Sequence, residues 1–195
     1  KAGYAPSHYE LGKVLLKKGK MDLSLNHFKK SVELATDNSD YIIGMGSALI
    51  VGKKFDKALK FLIPISKKQP ENADLHYMLC NTYTKKKFYT AAIAYCEKSL
   101  KFKSGSHKYM NRLAWLYAKK QTKLAKALDM SRETVKAFPK RAGYIDTLSE
   151  VYYALGKTDE AIAKIKEALK LTPNDPYYKQ QLWKYRNIKL KKPAA

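Results

Sequence analysis

The sequence predicts an all-α solenoid of five helix-turn-helix repeats, closed by a C-terminal capping helix. Three observations support this prediction. Small residues recur about every 34 positions, each period holds two amphipathic segments of about 13 residues, and the last segment begins with helix-start signals. With 195 residues and 45% hydrophobic content, the chain is long and apolar enough to bury a core.

Two series of small residues keep phase along the chain. The first follows a leucine or methionine, and the second falls one helix later. Successive members lie 34 residues apart except for one step of 35, which places a single inserted residue between Ala114 and Ala127. Small side chains at these positions favour close antiparallel packing of two helices. The first series is Gly12, Gly46, Cys80, Ala114 and Ser149, and the second is Ser24, Ala58, Ala92, Ala127 and Ala161.

A third series marks the end of each repeat. Pro70, Pro139 and Pro173 end three units, and Thr36 and Ser104 take the same place in the other two. One helix pair cannot bury its apolar face alone, so neighbouring pairs must stack. The five units tile the chain as 5–38, 39–72, 73–106, 107–141 and 142–175, and the whole of 1–195 is predicted to form one solenoid domain.

This pattern resembles the tetratricopeptide repeat, W-x2-L-G-x2-Y, then A-x3-F, then P. The opening Trp is absent from every unit, and glycine stands at its position in only two. The resemblance covers nearly the whole chain and implies a right-handed superhelix that acts as a protein-binding scaffold or assembly factor, not an enzyme, with no cofactor or metal. The matching residues are Leu11, Gly12, Leu15, Ser24 and Phe28 in the first unit, Leu79, Cys80, Tyr83, Ala92 and Cys96 in the third, and Leu148, Ser149, Tyr152, Ala161, Ala168 and Pro173 in the fifth.

The capping helix and a basic tail occupy 176–195. Asp175 is the expected N-cap and Pro176 the first helical residue, with the helix running to about Leu190. The fourth and fifth repeats look like bacterial members of the family, which favours an exported or organelle compartment over the cytoplasm. The chain begins at Lys1 without a methionine, which leaves open whether an upstream segment was removed.

Lysines recur at the turn between the two helices of the first four repeats. The formal net charge of +22 predicts attraction to a negatively charged partner, which could be an acidic protein, a nucleic acid or an anionic membrane. Two interpretations of these turn lysines stay open: cations placed at helix C-termini in a solvated turn, or a ridge that contacts an acidic protein. The basic ridge consists of Lys17, Lys18, Lys53, Lys54, Lys85, Lys86, Lys87, Lys119 and Lys120.

The resemblance also implies a peptide groove along the inner face of the first helices. Aromatic rings with amides and charges at the rim suit an extended or helical peptide; alternatively, Tyr77 and Trp115 only pack between helices. Asp146 and Glu150 lie four apart on one helix face and could hold a partner lysine or arginine. Lys108 and Arg112 match part of the family's carboxylate clamp, but the full clamp is absent. The predicted groove residues are Tyr9, Lys13, Ile43, Ser47, Tyr77, Asn81, Lys108, Asn111, Arg112, Trp115, Asp146, Glu150 and Tyr153.

Other classes of site and partner receive less support. Nucleic-acid binding would rest on charge and aromatic residues, but the period and small residues differ from RNA-reading helical repeats. A membrane surface could be contacted by the last helix through Tyr178, Leu182, Trp183 and Tyr185, and self-association stays open. The four histidines lack metal-ligand spacing, and the two cysteines are expected to be small core residues.

Overall fold

The structure, a computed structural model, describes residues 4–188, and every regular element in that range is a helix. The all-α prediction and the pairing of helices within repeats are confirmed. The helices are α1 (Tyr4–Lys17), α2 (Met21–Leu34), α3 (Ser39–Val51), α4 (Phe55–Lys68), α5 (Ala73–Lys85), α6 (Tyr89–Phe102), α7 (His107–Lys120), α8 (Leu124–Ala137), α9 (Ala142–Ala154), α10 (Thr158–Leu171) and α11 (Pro176–Asn187).

The chain divides into two compact units after Phe102. In the first, the pairs α1/α2, α3/α4 and α5/α6 stack so that α2 packs on α3 and α4 on α5. In the second, α9 packs on both α7 and α8, and α11 covers α10. Each unit is a stack of helical repeats, and the single domain expected over 1–195 stays a prediction.

The small residues of both series lie where paired helices approach each other. Ser24, Ala58, Ala92, Ala127 and Ala161 are all fully buried. The Ser24 hydroxyl also donates a hydrogen bond of 2.7 Å to the Gly12 carbonyl oxygen, which joins α1 to α2. A small side chain at these points leaves room for the partner helix. The sequence period of the series therefore determines where along the chain the paired helices contact each other.

The turn inside each repeat contains a residue with positive φ. Glycine serves in the first and fifth repeats, and a longer side chain serves in the other three, at a steric cost that glycine avoids. In repeat four the inserted residue makes α7 one residue longer than α5 or α9, and Lys123 is a second positive-φ residue in that turn. The equivalent positions are Gly19, Lys53, Lys87, Gln121 and Gly156.

Side-chain caps begin three helices that follow the links between repeats. Asn38 accepts from the Tyr41 amide at the start of α3, and Asn72 accepts from the Leu75 amide at the start of α5. Asp175 accepts from the Tyr177 amide, with Pro176 as the first residue of α11, as the sequence predicts. The helix ends at Asn187, and the tail from 189 onward lies outside the described residues.

Cys80 and Cys96 form a disulfide between α5 and α6. The expectation that they are core residues is confirmed, since neither is exposed, but the sequence analysis did not predict the bond between them. Their positions in the two helices of one repeat bring the Cα atoms within 5.2 Å, inside the range that a disulfide spans. Closing a loop with a sequence separation of 16 residues stabilises a fold by about 3 kcal/mol in the chain-entropy account.

We expect Gly44→Ala to destabilise the first unit. A Cβ at this position would lie 2.6 Å from Tyr9 Cε2 and 2.9 Å from Phe28 Cε1. Overpacking of this kind costs ~1–3 kcal/mol, which exceeds the ~1 kcal/mol that alanine gains over glycine in a helix. Urea unfolding followed by circular dichroism measures the loss.

Gly143→Ala is the matched control, because it makes the same change within helix α9. The nearest atom to its Cβ would be Tyr178 Oη at 3.9 Å. This variant should gain up to ~1 kcal/mol from helix propensity alone. Equal gains in both variants would contradict the close contact at Gly44.

Candidate functional site

The candidate site lies in the second unit, on one face formed by α7, α9 and α11. Helix α9 is buried along nearly its whole length. One side carries Ile145, Leu148 and Tyr152, which pack in the core against α10 and α11. Asp146 and Glu150 lie on another side of the helix, and Glu150 contacts α7 and α11.

Glu150 joins the three helices through ion pairs. Lys119 Nζ of α7 lies 2.9 Å from Glu150 Oε1, and Lys184 Nζ of α11 lies 3.3 Å from the same oxygen. The Glu150 side chain is only 4% exposed, so this charge is buried and paired within the chain. Removing one partner of a buried pair strands the other charge. A partner cation would therefore have to displace Lys119 or Lys184 to reach Glu150.

Asp146 lies one turn earlier and is 6% exposed. Burial raises the pKa of its carboxyl to about 7, and the Glu150 carboxylate adds to the rise. Lys119 acts in the opposite direction, and a hydrogen bond with Tyr177 also lowers the pKa. The carboxyl thus changes protonation state near neutral pH, with its Oδ1 atom lacking a hydrogen-bond partner in the chain.

The capping helix α11 is attached to α9 by further polar contacts. Tyr185 is 2% exposed, and its hydroxyl lies 3.2 Å from Ser149 Oγ. The Tyr153 hydroxyl donates to the Ile188 carbonyl oxygen. Burial lowers the pKa of Lys184, while Glu150 opposes that shift. These contacts make α11 part of the site as well as a cover for the last repeat.

Four buried polar atoms on this face have no hydrogen-bond partner within the chain. They lie on all three helices. On α7 the Trp115 ring has the Arg112 guanidinium 5.8 Å and Lys119 Nζ 5.2 Å from its centroid. The face therefore combines an aromatic surface, cations and unused hydrogen-bonding capacity. The four atoms are Asn111 Oδ1, Arg112 Nε, Asp146 Oδ1 and Gln181 Oε1.

The remaining predicted groove residues lie mostly on α1, α3 and α5 of the first unit. Tyr9 packs with its ring centroid 5.7 Å from that of Phe28, and Lys13 pairs with Glu10 at 2.9 Å. Tyr77 is buried, while Asn81 has a buried Oδ1 without a partner in the chain. Ile43 and Ser47 are half-buried on α3, and Lys108 is exposed on α7 of the second unit.

The basic ridge separates into paired and exposed lysines. Lys54 Nζ lies 2.8 Å from Asp22, and Lys86 pairs with Asp56. Each bond joins a turn to the first turn of the second helix in the preceding repeat. Both aspartates are exposed, so solvent screens these pairs and they contribute little to stability. Lys119 pairs with Glu150, and the exposed members are Lys17, Lys18, Lys53, Lys85, Lys87 and Lys120.

Residues of the capping helix are the part of the site that the sequence analysis missed. Tyr177, Gln181 and Lys184 recur at helical spacing on one side of α11, and that spacing was the available signal. The same helix is a poor membrane anchor, because Tyr185 is buried and Tyr178 and Leu182 pack against the core. Of the four residues proposed for membrane contact, Trp183 is the most exposed, at 59%.

Two of the four histidines contact each other, and no candidate metal site is found within residues 4–188. His8 and His27 place their Nδ1 atoms 2.8 Å apart, as a hydrogen-bonded pair between α1 and α2. In this range no cluster of three or more His, Cys, Asp or Glu side chains could hold a metal ion. None of the described helices is long and apolar enough to span a bilayer.

We expect Asp146→Asn to remove the pH dependence of the free energy of unfolding that this carboxyl gives to the second unit. Between the ordinary carboxyl pKa of 3.8 and the raised value of about 7, the folded state binds more protons than the unfolded state. The free energy of unfolding should therefore fall as pH rises from about 4 to about 7, and then level off. The asparagine variant should be more stable at pH 8, by up to ~4 kcal/mol.

Tryptophan fluorescence during urea unfolding measures this effect for the second unit alone, because Trp115 and Trp183, the two tryptophans of the chain, both lie in it. Asp129→Asn, an exposed position on α8, is the matched control. An Asp146→Asn variant that keeps the wild-type dependence between pH 5 and pH 8 would contradict the assignment.

Comparisons with known proteins match two of the five predicted repeats. Residues 5–38 and 142–175 each match a sequence model of the tetratricopeptide repeat. No curated protein matches the chain. Both matched segments coincide with the first and fifth units of the 34-residue pattern.

Solved structures of other proteins share the fold at low sequence identity. TTC0263, a thermophilic tetratricopeptide repeat protein in Thermus thermophilus, is 16% identical with a TM-score of 0.69, over 93% of this chain and 98% of that one. YrrB, described as having an unusual peptide-binding site, is 17% identical with a TM-score of 0.68, over 89% of each chain.

MamA from Desulfovibrio magneticus RS-1 is 16% identical with a TM-score of 0.72, over 89% of this chain and 97% of that one. At these identities the likeness concerns the fold alone. The first and fifth repeats thus match the tetratricopeptide repeat in sequence, and the described helices share the fold of tetratricopeptide repeat proteins.

Proposed function

We propose that the protein is a non-enzymatic scaffold whose second unit binds a peptide segment of a partner protein across α7, α9 and α11. The repeat fold supports a role in protein–protein interaction. The observation that carries the finer proposal is the set of four buried polar atoms on α7, α9 and α11 that have no hydrogen-bond partner within the chain. A buried polar group without a partner costs ~1–3 kcal/mol, and a bound ligand can remove that cost.

A peptide supplies the complementary groups. Its backbone amides can donate to Asn111 Oδ1 and Gln181 Oε1, and a carbonyl oxygen can accept from Arg112 Nε. The Trp115 ring offers an apolar surface beside the cations of Arg112 and Lys119. The Glu150 side chain is 4% exposed, whereas those of Lys119 and Lys184 are 25% and 29% exposed. The accessible charges of this face are therefore mainly positive, which favours a peptide with acidic side chains.

We expect Asn111→Ala and Trp115→Ala each to weaken binding of the partner captured by the wild-type protein by tenfold or more, as for central residues of an interface. Trp183→Ala is the matched control, because Trp183 is exposed on α11 and is not among the residues assigned to the site. Capture from nuclease-treated native lysate followed by titration of the purified partner measures the effect.

Circular dichroism of each variant must match the wild-type spectrum. A folded Trp115→Ala variant that binds as tightly as Trp183→Ala would contradict the proposed site. Loss of binding after nuclease treatment of the wild-type sample would instead favour a nucleic acid as the bridging partner.

The exposed lysines of the basic ridge are proposed to speed the encounter with an acidic partner. Charges in solvent act over about a Debye length, ~10 Å at 0.1 M salt, so they affect association more than the lifetime of the complex. Lys54 and Lys86 are less suited to this role because each already pairs with an aspartate.

We expect the combined change Lys18→Gln, Lys53→Gln, Lys85→Gln and Lys87→Gln to reduce the salt dependence of the association rate. Glutamine should be accepted in the turns, because Gln121 occupies the equivalent positive-φ position of repeat four. The control removes four other exposed lysines of the first unit and so the same total charge: Lys30, Lys57, Lys60 and Lys68. Stopped-flow association at several salt concentrations measures both variants, and equal salt slopes would contradict a specific role for the ridge.

A further inference from the structure

A cavity of about 370 Å³ lies in the first unit, among helices α4, α5 and α6. It is formed by the C-terminal end of α4, the link to α5 and the C-terminal half of α6. None of its lining residues belongs to the predicted groove or to the basic ridge. Its volume falls in the range of small-molecule sites.

Aromatic rings form one wall of the cavity. The His76 ring stacks with Tyr95 at a centroid distance of 6.0 Å and with Phe102 at 6.1 Å, with interplanar angles of 30° and 19°. His76 is buried, whereas Tyr95 is half-buried and Phe102 is 39% exposed. The three rings form an apolar wall, and a flat ligand can contact its exposed part, mainly Phe102.

Three lysines line the same cavity. Lys98 Nζ lies 5.4 Å from the Tyr95 centroid, and Lys101 Nζ lies 5.6 Å from the Phe102 centroid. Lys67 joins them from the last turn of α4. No residue that lines the cavity is acidic. A lining with three cations and no carboxylate favours an anionic ligand.

His76 adds a hydrogen-bonding constraint. Its Nε2 lies 2.7 Å from the Pro70 carbonyl oxygen. A carbonyl oxygen only accepts, so Nε2 carries the hydrogen, and in the neutral ring Nδ1 is left as an acceptor. Nδ1 is buried and has no partner within the chain. A ligand hydroxyl or N–H group that reached it would satisfy this atom.

We propose that the cavity binds a small phosphate monoester that carries an aromatic ring, of the class of a nucleoside monophosphate. The phosphate lies among Lys67, Lys98 and Lys101, and the ring contacts the wall of Tyr95 and Phe102. Phosphate groups gain from several ammonium partners at once, and base stacking on aromatic side chains tolerates many ring types. The same chemistry could come from a free nucleotide or from phosphotyrosine.

Isothermal titration of the full chain with adenosine monophosphate tests the proposal. We expect saturable binding that is at least tenfold tighter than that of adenosine or inorganic phosphate alone, because each lacks one half of the recognised ligand. O-phosphotyrosine is the second probe. Tighter binding of phosphotyrosine than of the nucleotide supports the cavity with a protein source of the phosphate, and tighter binding of the nucleotide supports a free nucleotide.

The double variant Lys98→Gln and Lys101→Gln should weaken binding of the preferred probe at least tenfold. The double variant Lys57→Gln and Lys60→Gln is the matched control, because it removes the same charge from exposed positions of α4 outside the cavity. Both pairs lie on helix surfaces, so folding should be preserved and is checked by circular dichroism. Equal weakening in the two variants, or no binding of either probe at millimolar concentration, would overturn the proposal.

Discussion

The close approach of paired helices is the constraint on which the rest of the structure depends. It requires a small side chain at one point on each helix, and the chain meets this requirement with glycine, alanine, serine or cysteine at buried positions. Because two helices that approach closely also fix the positions of their neighbours, the first helices of the second unit present their polar residues in register. The candidate site is a consequence of that register.

The sequence was sufficient to predict the repeats because the small residues keep phase over long distances. It placed Asn111, Trp115, Asp146 and Glu150 on first helices, which is where the structure has them. It could not predict how Glu150 is neutralised. Its partners Lys119 and Lys184 are 31 and 34 residues away, and nothing in local spacing distinguishes them from other lysines of this basic chain.

The disulfide was missed for a similar reason. Cys80 and Cys96 satisfy the small-residue pattern equally well as thiols, so packing alone does not reveal the covalent bond. The boundary after Phe102 follows from the balance of contacts within each unit, whereas the repeat pattern continues across it without a break. The sequence period predicts which helices pair within a repeat. It contains little information on the number of contacts between one helix pair and the next.

The disulfide also affects the order in which the helix pairs of the first unit unfold. In a stacked array, terminal repeats lose structure most readily because each contacts fewer neighbours. The covalent bond between α5 and α6 prevents the third pair from separating one helix at a time. Within the described part of this unit, we therefore expect the α1/α2 pair to open before the disulfide-linked α5/α6 pair. The aromatic cavity beside α6 lies at the protected end, where it persists while the first repeat frays.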